Sequence, residues 1–119
     1  MSEWWHGLDP DLIDRVSWLI LACRNAGYPI RVNSGFRSTA KQAALYAAWV
    51  ARGKTGLPAA RPGTSRHELG EAVDLGWVGT GIREPFPGAW EALGRAAGLH
   101  WAGPKDPVHF ELPRLGGGG

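Results

Sequence analysis

Three residues of this 119-residue chain, His67, Asp74 and His109, together form a set able to hold a catalytic metal ion. Two imidazoles and a carboxylate are a ligand set for catalytic zinc that leaves a fourth position for water. Cys23 is the single cysteine, which excludes intrachain disulfides and multi-cysteine zinc or iron–sulfur sites, so a metal here takes histidine and carboxylate. His67 comes just before a turn at Gly70, while Asp74 and His109 each fall in a short stretch that reads as a strand. If those strands are neighbours, the three ligands converge from two strands and one loop. The competing reading leaves Asp74 capping a turn and the histidines as ordinary, partly buried residues.

The elements that must position these residues follow from periodicity and punctuation. Asp9 as N-cap, Pro10 at the first helical position and Gly27 as a stop predict a helix from Asp9 to Ala26, with Leu12, Val16, Leu19, Ile20 and Cys23 on one stripe. A strand is expected from Tyr28 to Phe36, with Ile30, Val32 and Ser34 on one face. A second helix, opened by a Thr39–Gln42 capping box, runs to about Arg52 and stops at Gly53. A loop rich in proline and glycine, 54–64, leads to a second strand from Ala72 to Trp77. Pro87 to Ala97 reads as a third helix with Trp90, Leu93 and Ala97 inward, and Val108 to Leu112 as a last strand. The expected order is α, β, α, β, α, β. A single domain is expected over 1–115, followed by a disordered glycine tail, 116–119.

The run His67-Glu68-Leu69-Gly70-Glu71 opens like the HExxH of helical zinc proteases. It lacks the second histidine, since position 71 is Glu, and Gly70 disfavours a helix through the stretch. Glu68 is therefore expected to be exposed to solvent rather than a general base.

Composition narrows the class further. With 44% hydrophobic and 20% charged residues, the chain suits one globular domain that buries roughly two thirds of its unfolded surface. Eighteen glycines and nine prolines make it loop-rich, and seven tryptophans argue for packed structure. The net charge is +2 and the arginines are scattered without a run, so there is no electrostatic footprint for nucleic acid. The longest apolar run, Val16 to Cys23, is too short to span a bilayer. Leu21-Ala22-Cys23 has the look of a lipoprotein cleavage site, but the residues before it include Glu3, Asp9, Asp11 and Asp14 where an export signal carries positive charge. No signal peptide is expected, no membrane partner, and nothing beyond a monomer.

Three segments then carry a resemblance. SGFRS at 34–38, SRHELGEAVDL at 65–75 and DPVHFEL at 106–112 resemble the motifs of the zinc D-alanyl-D-alanine carboxypeptidase and L-alanyl-D-glutamate endopeptidase family of peptidoglycan hydrolases. The SxHxxGxAxD pattern is matched at every defined position by Ser65, His67, Gly70, Ala72 and Asp74. The resemblance runs from about Ser34 to Leu112. It implies an α+β fold in which a small antiparallel sheet packs with about three helices, as in the hedgehog signalling domain. It also implies one zinc ion per chain, held by His67, Asp74 and His109. Asp106 takes the place of the family's general base, and Pro107 fixes the backbone between it and the strand. Arg37 matches the family arginine that faces the substrate, where it would neutralise an oxyanion or pair with a substrate carboxylate. On their own, Asp106-Pro107 reads as turn chemistry and Arg37 as a solvated surface charge.

The remaining candidates are less pointed. Ser65 either binds substrate or orders its loop, and Gln42 is expected to line the cleft from its helix. Glu111 shares a strand face with His109 by period two, so it either orients that imidazole or stands exposed. His6 and His100 are not read as ligands, and Trp77, Trp90 and Trp101 are read as core or cleft wall.

The resemblance implies a zinc metallopeptidase that cuts an amide bond in the stem peptide of bacterial peptidoglycan. It is closer to the endopeptidase branch, because an aspartate stands at 106 where the carboxypeptidase branch more often has glutamate. The alternatives are a D-alanyl-D-alanine carboxypeptidase and a zinc-containing, hedgehog-like binding module. Together with the expected lack of an export signal, this suggests a phage lysin or virion protein, made in the host cytoplasm and acting on the wall.

Overall fold

A computed structural model of the protein describes residues 3–78 and 89–113. Among the described residues there are three α-helices and a four-stranded antiparallel sheet in the order β1-β2-β4-β3. The expected α+β class is what the structure shows. The start of the third helix at Pro87, the glycine tail and the side chain of Trp77 lie outside the description.

Helix α1 (Pro10–Asn25) begins as its sequence predicts, with the Asp9 side chain accepting from the Asp11 N–H at 2.8 Å and proline in the first turn. Leu12, Val16, Leu19 and Cys23 are buried along one stripe, and burial of each large side chain stabilises by roughly 1.5–3 kcal/mol. They pack with Ile30 of β1 (Ile30–Ser34), Val73 and Leu75 of β2 (Ala72–Trp77), and Phe110 of β4 (His109–Glu111). Trp90 of α3 (Ala89–Ala96) closes this core, its ring edge-on to Phe110 at 5.5 Å. No described helix is long and apolar enough to cross a membrane.

The sheet departs from expectation in two ways. A two-residue strand, β3 (His100–Trp101), pairs with β4 at the edge, where the sequence shows only a turn. Two residues are too few to display an alternating pattern. A register shift between Val32 and Ser34 also makes Ser34 the partner of Asp74 rather than of Val73. The expectation that Ser34 shares a face with Ile30 and Val32 is therefore wrong. The extra residue turns Ser34 onto the Asp74 face, as bulges do.

Helix α2 (Thr39–Ala51) starts from a different cap than the expected Thr39–Gln42 box. Ser38 has the extended backbone that a cap needs, and its hydroxyl accepts from the Lys41 N–H at 3.1 Å. Gln42 is the buried residue of this helix. One 3₁₀ turn (Arg66–Leu69) precedes β2 and ends at Gly70 with φ +72°. A side chain there would run into the Gly7 carbonyl, so glycine is required both by the backbone and by the close approach of the N-terminal segment.

Candidate active site

The three candidate ligands are brought together from the elements expected. Asp74 and His109 are direct partners across β2 and β4, so their side chains share the sheet face opposite Val73 and Phe110. His67 enters from the 3₁₀ turn, which is stitched to the segment after β1 by the Arg37 N–H donating to the His67 carbonyl at 3.1 Å. One ligand atom from each residue lies within 4.8 Å of the others.

Hydrogen bonding aims both imidazoles inward. His67 Nδ1 lies 2.8 Å from the Gly35 carbonyl and acts as the donor, which leaves Nε2 as a bare lone pair 3.3 Å from Asp74 Oδ1. His109 Nε2 lies 2.8 Å from Glu111 Oε1, leaving Nδ1 at 3.4 Å from the same Asp74 oxygen. His67 Nε2 and Asp74 Oδ1 are buried without a hydrogen-bond partner. Acceptor atoms that converge without a donor are costly unless a cation sits among them. Zinc bonds of about 2.1 Å in tetrahedral arrangement place ligand atoms about 3.4 Å apart, which is the spacing of both imidazole nitrogens from Asp74 Oδ1. The donor set and its spacing fit zinc.

The electrostatics are those of a crowded acidic pocket. Burial works to raise the Asp74 carboxyl, yet the close imidazoles of His109 and His67 hold it well below the usual carboxylate range. Burial would lower His109, but Asp74 and Glu111 beside it, with the charge of Asp106, push it up to about 9. The Asp106 carboxyl is raised, first by burial and then by the negative charge of Asp74. Its Oδ2 lies 3.9 Å from His109 Nδ1, at the rim of the group. The loop carrying it is anchored by the Trp101 indole N–H, which donates to the Pro107 carbonyl at 2.8 Å.

Arg37 is 12% exposed at its side chain and tied on three sides. It donates to Ser34 Oγ at 3.0 Å, Gln42 Oε1 at 3.0 Å and Asp74 Oδ2 at 2.9 Å. Three of its five N–H groups are spent, one of them on the Asp74 carboxylate, and two remain uncommitted. Gln42 does not line the cleft as expected. It is fully buried, with its amide N–H donating to the Ala60 carbonyl at 2.8 Å and its oxygen taken by Arg37. Ser65 does line the cleft, and its hydroxyl accepts from the His67 N–H at 3.2 Å.

Glu68 is not simply exposed. Its carboxylate accepts from the Thr39 hydroxyl at 2.8 Å, from the Gly63 N–H at 2.9 Å and from the Ser65 N–H at 3.2 Å, clamping the 54–64 loop against α2. His6 and His100 are exposed, and neither is among the grouped candidate ligands, although His100 is the strand partner of Glu111. Sequence reasoning missed Arg66, whose guanidinium spans Glu71 Oε1 (2.8 Å), Glu111 Oε2 (2.8 Å) and the Leu112 carbonyl (2.9 Å). It fixes the carboxylate that in turn fixes His109, and its place between Ser65 and His67 was the only signal available. The cleft itself, about 260 Å³, runs from Asp74, Asp106 and His109 along α2 to Arg52, with Leu57 and Pro58 on the far wall.

A sequence model of the D-alanyl-D-alanine carboxypeptidase family, VanY, matches residues 5–86, which include His67 and Asp74. The chain belongs to this family. Solved structures similar to it include the L,D-carboxypeptidase DacB from Streptococcus pneumoniae, at 26% identity over 93% of this chain and 69% of that one, with a TM-score of 0.71. The D,D-pentapeptidase VanY from a VanB-type resistance cassette, solved with Zn(II), is 25% identical over 88% of this chain and 72% of that one, with a TM-score of 0.68. The L-Ala D-Glu endopeptidase ChiX of Serratia marcescens is 26% identical over 93% of this chain and 84% of that one, with a TM-score of 0.59. A peptidase of the VanY family is thus the coarse identity of the protein, and its relatives divide between carboxypeptidases and an endopeptidase.

Proposed function

We propose that the protein is a zinc-dependent peptidase that hydrolyses the L-alanyl-D-glutamate bond in the stem peptide of peptidoglycan. The observation that carries this reading is the inward aim of His67 Nε2, His109 Nδ1 and Asp74 Oδ1, the first and last buried without a hydrogen-bond partner, with Asp106 at their rim. His67, Asp74 and His109 would hold zinc, which supplies Lewis acidity toward a carbonyl oxygen and acidifies water. Asp106 takes the proton from the attacking water and returns it to the leaving amine, and the raised basicity of its buried carboxylate suits both transfers. The two uncommitted N–H groups of Arg37 face the carbonyl oxygen as negative charge grows on it. Ser65 orders the His67 turn, and Glu111 holds the His109 ring.

A second reading, D-alanyl-D-alanine carboxypeptidase, is favoured by the description of the matching family and by the VanY structure. Digestion of purified sacculi by the zinc-loaded protein, followed by mass spectrometry, separates the two. The first reading expects new N-terminal D-glutamyl or D-isoglutamine fragments, and release of free D-alanine alone hands the case to the second. In Asp106→Asn, zinc content should be kept while turnover falls roughly two to four orders of magnitude. Loss of metal from that variant would make Asp106 a ligand and overturn its role as base.

A further inference from the structure

Gln42, Leu45, Trp49 and Arg52 follow one another at three- and four-residue steps, a single stripe along α2 and its C-cap. At one end Gln42 is bonded to Arg37 and through it to Asp74. Leu45 and Arg52 line the cleft two turns apart. The opposite wall, Leu57 to Ala60, is tied to the helix by the bond from Gln42 to the Ala60 carbonyl. The cleft is therefore a groove with a candidate metal centre at one end and a guanidinium at the other.

The two cleft arginines differ in how much of their hydrogen-bonding capacity is spent. Arg37 is committed to Ser34, Gln42 and Asp74. Arg52 is exposed, and its side chain donates one bond, from Nε to the Thr55 carbonyl at 3.4 Å, so both terminal nitrogens are open to a ligand. Arg52 lies ten residues beyond Gln42, about 15 Å along the axis at 1.5 Å per residue. The bond to the Thr55 carbonyl holds the Arg52 side chain beside the C-terminal end of α2, about 10–15 Å along the cleft from the catalytic end. A carboxypeptidase must hold a carboxylate one residue from the scissile bond, about 3.5 Å of extended chain, whereas about 10–15 Å corresponds to three or four residues.

We propose that Arg52 is a specificity-determining residue that pairs with the terminal carboxylate of a tetrapeptide stem, three residues beyond the L-alanyl bond being cut. It rests on the endopeptidase reading above. The enzyme then selects stems that end in a free acid over the same stems ending in an amide, because the fork of N–H groups on arginine recognises a carboxylate and has no equal partner in a primary amide.

The test uses two synthetic stems, L-Ala-D-γ-Glu-L-Lys-D-Ala with a free or an amidated C-terminus, and the zinc-loaded protein with and without Arg52→Gln. The native protein should prefer the free acid by about five- to tenfold in kcat/KM, mostly through KM. In Arg52→Gln the ratio should fall to about one. An equal ratio in both proteins overturns the proposal. Calorimetric titration of both stems into zinc-loaded Asp106→Asn, with and without Arg52→Gln, keeps the two readings apart. If neither stem is cut yet the free acid binds more tightly only when Arg52 is present, the endopeptidase reading fails and Arg52 stands. If neither stem binds, both fail.

Discussion

On one face of the sheet Val73, Leu75 and Phe110 lie sealed beneath α1 and Trp90. On the other, Asp74 accepts from Arg37, Glu111 accepts from Arg66, and His109 is held by Glu111. The same two strands, β2 and β4, serve both faces, but different forces hold them. The apolar face gains from area removed from water, so many sequences of similar volume would serve. The polar face depends on particular donors meeting particular acceptors, and a missing partner leaves a buried charge uncompensated. Changes on the first face should cost stability and leave the chemistry of the folded molecule intact; changes on the second should cost metal or turnover first.

The largest effect is expected from the candidate ligands. His67→Ala, Asp74→Ala and His109→Ala should each abolish stoichiometric zinc in a metal assay, and activity with it, since a three-ligand site seldom survives the loss of one. On the opposite face, Phe110→Ala should lower unfolding free energy by about 3–5 kcal/mol in urea titration. Turnover per folded molecule should hold, and if zinc affinity fell instead the two faces would not be separable. Arg66→Met is the sharper probe, because it touches no candidate ligand directly. It frees Glu111 from its partner and should weaken zinc binding by about 10- to 100-fold in competition with a chelator, with Arg66→Lys recovering part of the loss. The smallest effect belongs to Thr39→Val, which removes one hydroxyl from Glu68 and should cost about 1 kcal/mol or less in thermal melts while zinc content stays whole.

The same division explains what was legible in the sequence. Helix α1 was readable because its cap, its proline and its buried stripe are local or periodic signals, and β2 was readable as an apolar run between turns. The three candidate ligands were singled out through motif spacing, and the structure brings them together. Gln42, Glu68 and Arg66 were misread or missed because their partners lie far along the chain: Ala60 for Gln42, Thr39 for Glu68, Glu111 and Leu112 for Arg66. No window of sequence contains both halves of such a bond. The bulge that turns Ser34 toward Asp74 is of the same kind, since alternation predicts the unbulged face and only the pairing with β2 shows the shift.

The central claim is that a buried group of acceptors on the polar face is a zinc site. Anomalous diffraction from a crystal of the purified protein, recorded on both sides of the zinc absorption edge, tests it most directly. The account predicts one peak per chain, about 2.1 Å from His67 Nε2, Asp74 Oδ1 and His109 Nδ1. A protein that is active on sacculi and shows no peak there, or a zinc peak bound elsewhere, would contradict it.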